Sequence, residues 1–130
     1  MEAIGDQIVR IFMVGDVMLG RGIDQILNYQ NDPRLYESYV KDAREYVKLG
    51  IRKNGPLPDL RDDDYIWGDA ISELEEMKPD LRLINLETSI TTSKEYCREK
   101  GIHYKMHPKN IYALKAAKID ACMLANNHVS

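Results

Sequence analysis

An α/β fold built on a parallel sheet is what this 130-residue chain predicts, and two observations carry that prediction. Apolar, β-branched runs alternate with helix-patterned stretches in the order strand, helices, strand, loop, helix, strand. Such alternation joins parallel strands through right-handed helical crossovers. Each run also breaks abruptly into polar side chains, at Gly15-Asp16, at Asn85-Leu86-Glu87 and at Asn126-Asn127-His128. The carboxyl ends of strands in an open α/β sheet converge on one crevice, where ligands bind.

The first strand is Ile8 to Val14, a buried-strand pattern closed by Gly15-Asp16. Gly20 and Gly22 mark a turn, and Ile23 to Tyr29 suits a short helix. The clearest helix is expected from Pro33 to Leu49, with Asp32 as N-cap and Pro33 at the first helical position. Its apolar face would be Leu35, Tyr36, Tyr39, Val40, Ala43, Tyr46 and Val47, and Gly50 would end it. The stretch from Asn54 to Asp64 is polar and proline-bearing, a surface loop overhanging the crevice. A second helix spans Gly68 to Met77, and Asp80 to Ile84 forms the second strand. Thr88 to Lys100 shows no period and is expected as loop; Pro108 to Lys118 is a third helix and Ile119 to Leu124 the third strand. There is no internal repeat, and the chain is expected to be a single domain.

Composition bounds the function. A net charge of −3 with dispersed Lys and Arg provides no concentrated basic face, which argues against nucleic acid as a partner. No apolar stretch reaches bilayer length, and the first ten residues lack a secretory pattern, so a cytoplasmic location is expected. The two cysteines form no CxxC pair. Cys122, inside an apolar run, is expected as a small core residue and Cys97 as a loop residue.

Several side chains are candidates for chemistry, each beside a plainer role. Asp16 offers carboxylate oxygens suited to a hard or borderline cation, or it caps a turn. Asn85 and Glu87 share one side of a strand, so amide and carboxylate point together; otherwise Glu87 is a solvated loop residue. Asn126, Asn127 and His128 directly follow an apolar run, where polar groups are costly unless partnered. The amides can ligate a metal and the histidine can protonate a leaving group, or the three form an Asn-rich turn. His103 and His107 have zinc-protease spacing but lack the required glutamate, and Pro108 disfavours a helix there. Contact with substrate is the functional role left to them. Arg21 can hold a phosphate or carboxylate bidentately, or lie on the surface. The tyrosines at 36, 39 and 46 are expected to pack their helix.

Taken together, Gly15-Asp16-Val17-Met18-Leu19-Gly20-Arg21, Asn85-Leu86-Glu87-Thr88 and Leu124-Ala125-Asn126-Asn127-His128 resemble the CapA-type capsule, or poly-gamma-glutamate, biosynthesis proteins. Those proteins are similar in turn to calcineurin-like metallophosphoesterases. Tyr65 to Ala70 and Gly101 to Pro108 resemble the same family. The resemblance implies a layered α-β-β-α fold of which residues 1–130 hold only the N-terminal half, as one partial domain truncated after the Asn-Asn-His segment. It implies that Asp16, Glu87 and Asn127 hold one or two divalent metals (Mn, Zn or Fe), with His128 and Arg21 catalytic. Asn85, Asn126, His103 and His107 would then contact substrate. Met18 stands where metallophosphoesterases carry a histidine, which removes one ligand. The expected activity is metal-assisted ester hydrolysis on an anionic small molecule or polymer. The alternatives are binding of an anionic polymer or protein partner without turnover, and hydrolysis of gamma-glutamyl amides.

Overall fold

The computed structural model describes residues 8–59 and 62–129. Among them the chain is mixed α/β with parallel sheets. β1 (Ile11–Val17) pairs in parallel with β2 (Leu81–Leu86), which pairs in parallel with β5 (Ala121–Met123), in the spatial order β1-β2-β5. A second, two-stranded parallel sheet joins β3 (Ser89–Ile90) to β4 (Lys105–Met106). The crossover from β1 to β2 holds α1 (Arg21–Asp24), α2 (Arg44–Asn54), a 3-10 turn (Tyr65–Trp67) and α3 (Ala70–Met77). The crossover to β5 holds β3, β4, a 3-10 turn (Pro108–Asn110) and α4 (Ile111–Ala116).

The strands lie where the apolar runs put them, with one shift of consequence. β1 begins three residues later than the run and continues through Asp16 to Val17, with a register irregularity between Val14 and Asp16. Gly15 sits at that irregularity, and Asp16 and Asn85 therefore face each other as register partners inside the sheet.

The long helix expected from Pro33 to Leu49 is corrected to Arg44–Asn54. Asp32 does not cap a helix; its carboxylate accepts the Arg34 amide at 3.0 Å in a local turn. Residues 33–43 fold back on themselves, with Ala43 N donating to the Pro33 carbonyl at 2.7 Å and an antiparallel bridge between Arg34 and Asp42. Gly50 lies inside α2, and the helix stops at Gly55, whose φ of 91° suits glycine. The short helix expected over 23–29 is confined to Arg21–Asp24, and the third helix opens as a 3-10 turn and ends at Ala116. The 88–100 loop contains β3. The expected overhanging loop includes Leu60 and Arg61, which lie outside the described residues.

One face of the main sheet makes the core, where Ile84, Leu86, Leu19, Leu27, Met106 and Leu114 are buried together. Arg82 is buried beside them without a carboxylate on its guanidinium: Nη1 donates to the Ala117 carbonyl at 2.7 Å and Nη2 to that of Leu74 at 3.4 Å. A cation near the last carbonyls of α3 and α4 complements their negative ends. The other face is open. Ile11 and Met13 on β1 are 50% and 62% exposed, and Met123 on β5 is 47% exposed. Cys122, expected in the core, is exposed although it is the register partner of buried Ile84, because β5 is an edge strand and nothing among the described residues covers it there.

Gly20 fixes how the first crossover meets β4. A Cβ there would lie 2.8 Å from Lys105 N and 3.1 Å from Tyr104 Cα, both backbone atoms. Gly20→Ala is therefore expected to cost about 1–3 kcal/mol through overpacking, read as a lowered urea midpoint at unchanged slope.

Candidate functional site at the strand ends

The parallel register brings the three polar segments to one rim. Asn85 Nδ2 donates to Asp16 Oδ1 at 2.9 Å. Asn126 Nδ2 donates to Asn85 Oδ1 at 3.0 Å and to the Leu86 carbonyl at 3.0 Å. Asn126 Oδ1 in turn accepts the His128 amide at 2.9 Å. Glu87 N donates to the Val17 carbonyl at 3.0 Å, which holds the carboxylate-bearing residue beside the end of β1. Its Oε2 lies 3.9 Å from His128 Nε2, and both side chains are about 15% exposed. Asn127 Nδ2 lies 3.3 Å from the same imidazole nitrogen. Asp16, Asn85, Glu87, Asn126, Asn127 and His128 thus form one connected group. A shallow cavity of about 230 Å³, lined by Asp16, Met18, Ile66 and Trp67, opens at the Asp16 end.

Arg21 approaches this group through an aromatic ring. Its guanidinium carbon stands 5.0 Å from the centroids of both Tyr46 and Tyr104. The Tyr104 ring stacks on His128 with centroids 4.2 Å apart. Arg21 Nε pairs with Glu37 Oε1 at 2.5 Å, and Tyr46 OH donates to Glu37 Oε2 at 2.6 Å. Burial, and then this bond to Glu37, push the Tyr46 phenol above its ordinary range. Arg21 carries a φ of 52°, so the anchored side chain coincides with an uncommon backbone conformation. A surface role for Arg21 is excluded by this setting.

His103 and His107 are held elsewhere. His103 Nε2 contacts the Cys97 carbonyl at 2.9 Å, and the ring packs edgewise on Tyr36 and Tyr96. His107 Nδ1 accepts the Lys109 amide at 3.1 Å, capping the 3-10 turn, and its ring stacks on Tyr29. Neither shares a hydrogen bond with the strand-end group among the described residues. The tyrosines expected to pack one helix have separate tasks: Tyr36 stacks on Tyr96, Tyr39 is 69% exposed, and Tyr46 holds Glu37. Glu37 and Tyr104 were not foreseen as supports, since neither spacing nor periodicity marks them. Asp24 is a further unforeseen anchor, buried and accepting the Asn31 and His107 amides at 2.7 Å each. Burial raises its pKa.

The donor set suits a divalent cation in kind: two carboxylates, an amide oxygen and an imidazole whose Nδ1 is buried without a partner. It falls short in closeness. Among the described residues, no three His, Cys, Asp or Glu side chains gather as a metal shell.

The fold is that of an α/β protein whose parallel sheet collects polar side chains at its strand ends, the place where open α/β sheets bind ligands. Residues 10–130 match the family described as bacterial capsule synthesis protein PGA_cap, and the chain belongs to that family. It is 47% identical over 122 residues to a probable polyglutamine synthesis accessory protein of Mycobacterium tuberculosis strain CDC 1551 / Oshkosh, and equally to one of strain H37Rv. The match covers 94% of this chain and 32% of each relative, so the chain spans about a third of their length. No solved structure matches it.

Proposed function

We propose that this chain serves capsule or polyglutamate synthesis and carries a metallophosphoesterase-type site acting on a phosphate or related ester. The observation that supports this reading best is the bonded rim from Asp16 through Asn85 and Asn126 to the His128 amide. Within it, Asp16, Glu87 and the Asn127 amide oxygen would hold one or two divalent ions, with further donors coming from outside the described residues. A bound ion of this kind supplies a polarised, more acidic water. Asn85 and Asn126 orient the oxygen donors, and His128, whose Nε2 stands 3.9 Å from Glu87 Oε2, would give a proton to a leaving oxygen. Tyr104 holds the ring in place. The open sheet face fits the layered α-β-β-α arrangement, in which a second sheet would cover Ile11, Met13 and Met123.

Manganese or zinc titration by calorimetry tests the site, using the protein at the length of its relatives. Saturable binding is expected, weakened at least about tenfold in Asp16→Ala and Asn127→Ala, in keeping with the loss of a direct ligand. Equal binding by the wild type and both variants removes the metal assignment.

Met18 favours a second reading. A thioether in place of an imidazole lowers affinity for hard cations, and the same rim would then bind an anionic polymer or a protein partner without turnover. Metal-dependent release of product from a panel of phosphomonoesters and phosphodiesters separates the two, because a binding module releases none.

A further inference from the structure

A larger cavity lies beside the one at Asp16. It measures about 420 Å³ and opens between α1, α2 and the turn at 55–57. Small-molecule sites typically measure about 300–1,000 Å³. Met18 and Ile23 line both cavities, so the two are neighbours across those side chains. The Met18 sulfur accepts the Gly20 amide at 3.1 Å, which fixes the shared wall.

The walls decide what the pair can accept. Beyond Asp16, the smaller cavity is lined by Val17, Leu19, Ile66 and Trp67, and the Trp67 indole N–H is spent on the Ala113 carbonyl at 2.7 Å. The larger presents Ile23, Ile26, Val47, Ile51 and Leu57. Three of its polar side chains are already engaged. Tyr46 OH donates to Glu37 at 2.6 Å and Asn54 Nδ2 to the Gly50 carbonyl at 3.1 Å. Arg21, the one charged side chain among the described lining residues, is balanced by Glu37. A sugar, a nucleobase or a polyglutamate chain would exchange water there for walls with few free partners, which is costly. An aliphatic chain gains by the same exchange. We propose that the ester brought to this rim is amphiphilic, with its phosphate beside Asp16 and its aliphatic alcohol part running over Met18 and Ile23 into the larger cavity. This rests on the metallophosphoesterase-type reading above and gives it a substrate class, the phosphate ester of a long-chain alcohol.

Alkylphosphonates carry a matching head group and no ester to hydrolyse, so they report binding apart from turnover. Calorimetry with ethyl-, butyl- and octylphosphonate, in manganese and on the protein at the length of its relatives, is the experiment. Each buried methylene is worth roughly fourfold, so octylphosphonate is expected to bind at least about tenfold more tightly than butylphosphonate. Gly50 lines the larger cavity from inside α2, and a Cβ built there meets nothing within 4 Å. Gly50→Leu should fill the space while improving helix propensity, so Tm is expected to hold or rise. The gain from butyl to octyl is expected to disappear in that variant. Equal affinities across the series in the wild type, or an undiminished gain in folded Gly50→Leu, would overturn the amphiphilic substrate, while manganese-dependent binding of ethylphosphonate would leave the rim reading standing. Octylphosphonate binding that ignores manganese and is matched by 1-octanol would remove the rim reading and the amphiphilic substrate with it.

Discussion

Glu37→Ala is expected to lower stability by about 3–5 kcal/mol, the usual cost of leaving a buried charge unpaired. Glu37 is 1% exposed and Arg21 15%, so water can do little to replace the lost carboxylate. The same substitution strands the Tyr46 hydroxyl, which donates to the other carboxylate oxygen. Small domains have only about 5–15 kcal/mol in total, so the variant should populate unfolded chain without denaturant or lie close to it. Urea unfolding followed by fluorescence of Trp67 measures the loss. Adding Arg21→Met should restore part of it, because removing both charges leaves an apolar contact in place of an orphan. Failure of the double variant to recover would show that Glu37 acts through Tyr46 or its backbone rather than through Arg21. The same pair explains why the chain between Pro33 and Ala43 is not helical: a continuous helix would not leave that stretch free to fold back and bury Glu37 against Arg21.

The order of the strands was legible because each is an apolar run ended by polar residues, a pattern that burial imposes on the chain itself. The meeting of the candidate residues was legible for the same reason: parallel strands in register bring Asp16, Asn85 and the Asn-Asn-His segment to one end of the sheet. Two kinds of fact were out of reach. Asp32-Pro33 reads as a helix start on local chemistry, yet the Asp32 side chain closes a local turn, and the tertiary attraction of Arg21 for Glu37 outweighs helix propensity. Cys122 reads as core from its apolar neighbours, whereas its exposure depends on what covers an edge strand, and a strand does not encode its cover. The supports are invisible for a related reason. Tyr104 matters because Gly20 lets β4 come close to the first crossover, a contact between residues 84 positions apart.

Asn126→Ala is the most informative change at the rim. One amide makes three of its hydrogen bonds, to Asn85, to the Leu86 carbonyl and from the His128 amide, so truncation should cost about 2–3 kcal/mol at about 1 kcal/mol for each. Asn126→Asp should cost more. The carboxylate keeps the acceptor for His128 but turns a lone pair towards both the Asn85 oxygen and the Leu86 carbonyl. A rank order of wild type, Ala, Asp in urea midpoint is therefore expected. Asn126 is not among the proposed metal donors but orients them, so Asn126→Ala should also weaken manganese binding by about 10–100-fold in protein that remains folded. A stability loss with metal affinity unchanged would confine Asn126 to tying the end of β5 to β2, and would separate the rim's architecture from its chemistry.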